Sequence, residues 1–171
     1  MNDIHAEVST AFAYRLLEQE GGDEYVVIPA IILHDVGWKE IPEEIKIKAF
    51  GHNVTEPELK RKHEIEGARI AGDILEQIDY DKGIIEEILI IINGHDTREQ
   101  AISLNDKIVK DADKLFRYSR EGFCIDLERF EETFEEAMNR LQNVINAWFF
   151  TDTAKEFALK ELTDRLDEST S

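Results

Sequence analysis

The chain has 171 residues, of which 42% are apolar and 34% charged, and its formal net charge is −18 at neutral pH. That length and apolar content suit a single domain, residues 1–171, with its own core. The charge repels the phosphates of a nucleic-acid duplex, and no run of apolar residues is long enough to span a bilayer, so neither partner is expected.

In chain order, Met1-Asn2-Asp3-Ile4-His5 lacks a basic segment followed by an apolar run, so no secretory signal is expected. Residues 2–20 place Ile4, Val8, Ala11, Phe12 and Leu16 at three- and four-residue steps, which predicts a helix. Gly21-Gly22 ends it. The run Val26 to Leu33 could be a buried strand, but Pro29 cannot donate to a ladder. A buried helix over 24–35 with Pro29 in its first turn fits better, closed by Gly37. Residues 41–52 read as a short helix and loop. Thr55-Glu56-Pro57-Glu58 reads as the start of a helix reaching Ile78, with Thr55 as its cap. Residues 83–93, rich in isoleucine, form another helix that Gly94 interrupts. Ser103 with Asp106 caps a helix over roughly 106–119.

Residues 126–150 carry Leu127, Phe130, Phe134, Ala137, Met138, Leu141, Ile145 and Trp148 at helical spacing and read as one helix. A last helix covers about 153–167, with Asp167–Ser171 as a frayed tail. Cys124 is the only cysteine, so no intramolecular disulfide and no cysteine-based zinc site can form, and a cytoplasmic location is expected. No strand pair is convincing. The expectation is an all-α fold with a helical core of about 2–119 and two additional C-terminal helices at about 126–167. Those two pack on the core or join copies into a homodimer.

The five histidines are His5, His34, His52, His63 and His95. One helical histidine is ordinarily exposed or satisfied, so the argument rests on their joint placement. His34 and Asp35 would diverge by about 100° in mid-helix. At a helix end, which Gly37 marks, both can turn into one pocket. A buried carboxylate beside a buried imidazole is costly unless a partner compensates, and a metal cation is an efficient one. Imidazole with carboxylate suits iron, manganese, nickel or zinc. His5, His63, His95 and Asp113 each fall on a separate predicted helix or its end, and antiparallel neighbours can bring such residues to one centre. His52 fits no place in this set and reads as a loop residue over the site. His95-Asp96 is a second His-Asp pair.

The order H…HD…H…H…D resembles the HD-domain superfamily of metal-dependent phosphohydrolases. The local strings resemble it too: Ala30-Ile31-Ile32-Leu33-His34-Asp35-Val36-Gly37, then His63-Glu64-Ile65-Glu66-Gly67-Ala68, then Ile108-Val109-Lys110-Asp111-Ala112-Asp113-Lys114-Leu115. The resemblance spans roughly residues 5–119 and implies an HD-domain-like bundle of about five core helices. It implies a first metal held by His5, His34, Asp35 and Asp113. Asp35 would bridge to a second metal held also by His63 and His95, giving one or two divalent ions. The family motif favours Asp113 over Asp111, which then reads as a solvated or capping acid.

The implied reaction is hydrolysis of a small anionic phosphomonoester or phosphodiester, such as a nucleotide, by metal-activated water. Asp35 would be the catalytic carboxylate. Lys39 and Arg98 are the candidate cations for the substrate phosphate. The Gly-Tyr-Pro triplet of the cyclic-dinucleotide phosphodiesterases is absent. Trp38 stands where the deoxynucleotide monophosphatases carry an acid, and the basic insert of the alarmone hydrolases is not visible. The same ligands would also serve a di-iron oxygenase of this fold or a non-catalytic metal-binding regulatory module.

Overall fold

The computed structural model describes residues 3–49 and 55–169, so His52 and the end of the tail lie outside the described residues. These residues are helical and contain no strand. α1 (Asp3–Glu20) buries Phe12, Ala13 and Leu16 and leaves Ile4 and Ala11 towards solvent. It ends at Gly21 and Gly22, whose φ values of +78° and +106° lie in the left-handed region that glycine adopts without cost.

α2 (Glu24–Leu33) is capped by the Asp23 carboxylate, which accepts from the Tyr25 amide. Pro29 therefore lies in the middle of α2 and not in its first turn. A proline there cannot donate to the carbonyl four residues back, which is that of Tyr25. The Tyr80 hydroxyl donates to that carbonyl at 2.8 Å and restores the lost partner.

After α2 the chain tightens into a 3-10 turn (Val36–Glu40), then a short α3 (Glu43–Lys46) and a second 3-10 turn (Ile47–Ala49). α4 (Glu58–Gln77) starts without a side-chain cap, contrary to the expectation for Thr55. Pro57 already has helical dihedrals and takes the cap position, while the Thr55 amide bonds back to the Lys48 carbonyl. α5 (Lys82–Ile92) follows, and α6 (Leu104–Leu115) begins at Ser103, whose hydroxyl accepts from the Asp106 amide as expected. α6 runs on into a 3-10 turn (Phe116–Tyr118).

The C-terminal part holds three helices where the sequence reading has two. α7 (Arg120–Phe130) and α8 (Phe134–Trp148) are separate, and α9 (Asp152–Ser169) takes in residues read as a frayed tail. The break falls at Glu131, which sits at φ +54°, and α8 opens with a capping box formed by Thr133 and Glu136. The string Thr133-Phe134-Glu135-Glu136 carries that signal, but it is hidden inside a continuous apolar stripe.

α1, α2, α5 and α6 pack on one another, α4 lies against α5 and the Val36–Glu40 turn, and α9 covers α1 and α6. One apolar cluster runs from Phe12 and Leu16 through Ile31, Ile88, Ile92 and Ile108 to Leu141 and Leu162. No helix among the described residues is long and apolar enough to cross a membrane.

Candidate metal centre

The six residues singled out in the sequence meet at one place, at the end of the bundle where α2 and α5 finish. His5 comes from the first turn of α1. His34 is the C-terminal cap of α2, and Asp35, at φ −97° and ψ 2°, has left the helix. That is the relaxation at a helix end that lets adjacent residues serve one pocket. His63 projects from α4, His95 follows α5, and Asp113 lies near the end of α6.

The atoms form two groups that share one carboxylate. His5 Nε2 lies 3.1 Å from His34 Nε2 and 3.5 Å from Asp35 Oδ2. Asp113 Oδ1 is 3.2 Å from His5 and 3.3 Å from His34. On the other side, His63 and His95 bring their Nε2 atoms to 3.3 Å of each other. Asp35 Oδ1 is 3.6 Å from the first of these and 3.7 Å from the second. Asp35 thus turns Oδ2 to one group and Oδ1 to the other.

The tautomers follow from the partners. His34 Nδ1 faces the Ile31 carbonyl at 2.7 Å, and His95 Nδ1 faces the Ile92 carbonyl at 2.8 Å. A carbonyl only accepts, so each Nδ1 carries the proton and each Nε2 presents a lone pair inwards. The centre is therefore lined with imidazole lone pairs and carboxylate oxygens, acceptors that repel one another until a cation or protons stand between them.

The electrostatics express the same demand. Burial opposes a charge on His34, yet Asp35 and Asp113 outweigh it and raise the ring to about 10. Burial likewise works against ionised Asp35 and Asp113, but the facing imidazoles hold both well below the usual carboxylate range. His95 is raised, its burial being outweighed by Asp35, whereas burial and the neighbouring His95 push His63 down to about 4. Two nitrogen-and-oxygen triads, His5–His34–Asp35 and Asp35–His63–His95, are compact enough to hold a cation each. The donor set fits divalent transition metals.

Neighbouring residues hold this geometry. The Trp38 ring stacks on His63 with centroids 4.1 Å apart, and its Nε1 donates to Asp35 Oδ1 at 3.0 Å. Glu64 is fully buried and accepts from the amides of Asp96 and Thr97 and from the Thr97 hydroxyl. Lys110 is also buried and donates to the carbonyls of Gly94, His95 and Arg98 at 2.6–2.9 Å. Burial pushes its amine down to about 8, which leaves it charged at neutral pH. Glu64 and Lys110 between them fix the turn that carries His95. Both lie within the motif strings, which by themselves assign neither a role. A charged residue on the apolar face of a helix is the signal that marks them.

The structure gives Arg98, Lys39 and Asp111 different surroundings. Arg98 is already engaged within the fold: its guanidinium donates to buried Asp106 at 2.9 Å and to the Ile90 carbonyl at 3.1 Å. Lys39 is exposed and makes no hydrogen bond or ion pair among the described residues. Asp111 is not solvated. It is fully buried and accepts from the amides of Phe150 and Thr151 and the Thr151 hydroxyl, which docks the start of α9 on α6. Asp96, the acid of the second His-Asp pair, also comes near, with Oδ2 3.8 Å from His63 Nε2.

A family model, HD domain, matches residues 3–118, more than half of the chain. The chain belongs to the HD domain family. That superfamily comprises metal-dependent phosphohydrolases, whose members typically bind divalent metals. No curated protein and no solved structure matches the chain.

Proposed function

We propose that the protein is a metal-dependent phosphohydrolase that cleaves a small phosphomonoester or phosphodiester in the cytoplasm, with a nucleotide as one such substrate. The observation that carries this reading is the sharing of Asp35 between two triads of ligand atoms. His5, His34, Asp35 and Asp113 would hold one cation, and Asp35, His63 and His95 the other. When bound, such a pair of cations supplies Lewis-acid charge to a phosphoryl oxygen and makes a water molecule more acidic.

The chain's own residues do the rest. The Ile31 and Ile92 carbonyls keep the inward nitrogens of His34 and His95 free of protons at neutral pH once a cation replaces the proton between the groups. Trp38 fixes Asp35 by its Nε1 and closes one face of His63. Asp96, a quarter exposed beside His63, stands on the solvent side, where a carboxylate can take a proton from water.

The test is elemental analysis of the purified protein, followed by a phosphoester screen with manganese, iron, nickel or zinc added. Turnover that follows metal content is expected, together with loss of both in Asp35→Ala. Full activity in Asp35→Ala would remove the reading.

A further inference from the structure

Of the two cations read from the sequence, Arg98 is engaged by Asp106 and the Ile90 carbonyl, and Lys39 is exposed on the turn after Asp35. Arg117 is a further cation. It lies four residues after Asp113, in the 3-10 turn (Phe116–Tyr118) that continues α6. Its neighbour Phe116 puts its ring edge-on against His5, with centroids 4.5 Å apart. The turn that carries Arg117 thus borders the His5–His34–Asp113 group.

The segment around it is held from several directions. Ser119 caps α7, and the Tyr118 hydroxyl donates to the Leu141 carbonyl of α8 at 2.9 Å. A Cβ on Gly122 would fall 1.9 Å from the Phe116 carbonyl oxygen, so α7 can pack this tightly only with glycine there. From α7, buried Asp126 accepts from Arg117 Nη1 at 2.7 Å. That bond uses one of five N–H donors in a rigid planar fork. The others have no acceptor among the described residues and are not sealed from solvent, the side chain being 28% exposed. The second arginine near Asp126 is differently placed, because Arg140 is taken by both oxygens of Glu132 at 2.8 and 2.7 Å. Burial works against the Arg117 charge, but Asp126, then Asp113 and Asp96, hold it in place. It therefore feels an acid from each side of the metal centre.

We propose that Arg117, oriented by Asp126, is the residue that binds the substrate's phosphoryl oxygens beside the metal centre. This rests on the phosphohydrolase reading and deepens it. A guanidinium held by one edge with its other donors open is suited to a phosphate, which it can meet through two parallel bonds. Arg117 lies one residue before the end of the family match, and Asp126 lies beyond it. The C-terminal helices thus acquire a part in substrate binding, through the carboxylate that aims this side chain. In a protein of net charge −18, such a local cation offsets the repulsion an anionic substrate meets on approach.

The test uses the full chain loaded with manganese and inorganic phosphate as the probe, titrated by calorimetry. Arg117→Gln keeps an amide donor for Asp126 and removes the charge and the fork. Its metal content should equal that of the unaltered protein, its phosphate affinity should fall about tenfold or more, and KM for a phosphoester should rise more than kcat falls. Arg117→Lys should recover part of the affinity. Unchanged phosphate binding in metal-loaded Arg117→Gln overturns the assignment and leaves the phosphohydrolase reading standing. If Arg117→Gln does not fold, Arg117→Gln with Asp126→Asn removes both charges together. Failure of that pair to fold or hold metal makes the role structural and also overturns the proposal. Absence of phosphate binding by the unaltered, metal-loaded protein would instead remove the phosphohydrolase reading itself.

Discussion

Asp111 and Asp113 are two residues apart, and their surroundings give them opposite tasks. Asp113 faces His5 and His34, whereas Asp111 faces the start of α9. Asp113→Ala should remove metal and leave the fold intact. Asp111→Ala should leave three buried donors unpaired, cost about 3 kcal/mol or more, and appear as a lower melting temperature. Equal loss of metal with unchanged melting in both variants would contradict this division. The convergence of the six candidate residues was legible in the sequence because their types and the long order of the motifs are restrictive. The fate of Arg98 was not legible, since its partner Asp106 lies eight residues on and becomes a neighbour only when the turn before α6 folds. The proton balance is also a residue-scale matter. In the metal-free protein His34 is raised to about 10, far above the value of about 6.5 for an unfolded histidine. A raised group stabilises below the unfolded value and loses that contribution as pH rises towards the folded one. His63, at about 4, has finished its change below pH 6.5, and Lys110 begins its own only near 8. His95 is raised as well, so between about pH 6.5 and 8 the metal-free protein should lose stability, by up to ~1.4 kcal/mol per pH unit for each of these two protons. Denaturant titrations at several pH values in chelator measure this, and a rise in stability across that window would contradict it.

At the scale of elements, the Val36–Glu40 turn crosses α4 at very short range. A Cβ at Gly37 would lie 1.9 Å from the His63 carbonyl oxygen and 2.5 Å from the Gly67 amide nitrogen. The crossing brings Asp35 beside His63 and so joins the two halves of the centre. Gly37→Ala should push the turn off α4, cost about 3 kcal/mol, and strip metal more completely than the loss of stability alone explains. Retention of metal and melting temperature would show that the crossing can relax. The sequence made Gly37 visible as a helix end, while its tighter duty depends on α4 and cannot be read locally. Helices were legible where apolar spacing and a cap agreed, as at Ser103. A boundary was missed where a cap lay inside an unbroken stripe, as at Thr133, and a cap was misassigned where proline displaced it, as at Pro57. Pro29 was misplaced because its cost is met by Tyr80, more than fifty residues away in sequence.

Over the whole molecule, a strongly acidic surface surrounds a centre lined with carboxylates and imidazoles. Such a chain holds these groups together only by supplying positive charge among them, and the family match makes divalent metal the natural source. The helices beyond the family match are tied to the centre at two points, through Asp111 to α9 and through Asp126 to Arg117. Apolar spacing made the all-α class legible and composition the acidic surface, but these two ties join residues from separate elements and carry no sequence pattern. The most direct test of the account is anomalous scattering from crystals of the protein grown with manganese. Two peaks are expected on opposite sides of the Asp35 carboxylate, one beside His5, His34 and Asp113 and the other beside His63 and His95. Crystals with saturating manganese and no peak within reach of Asp35 would contradict it.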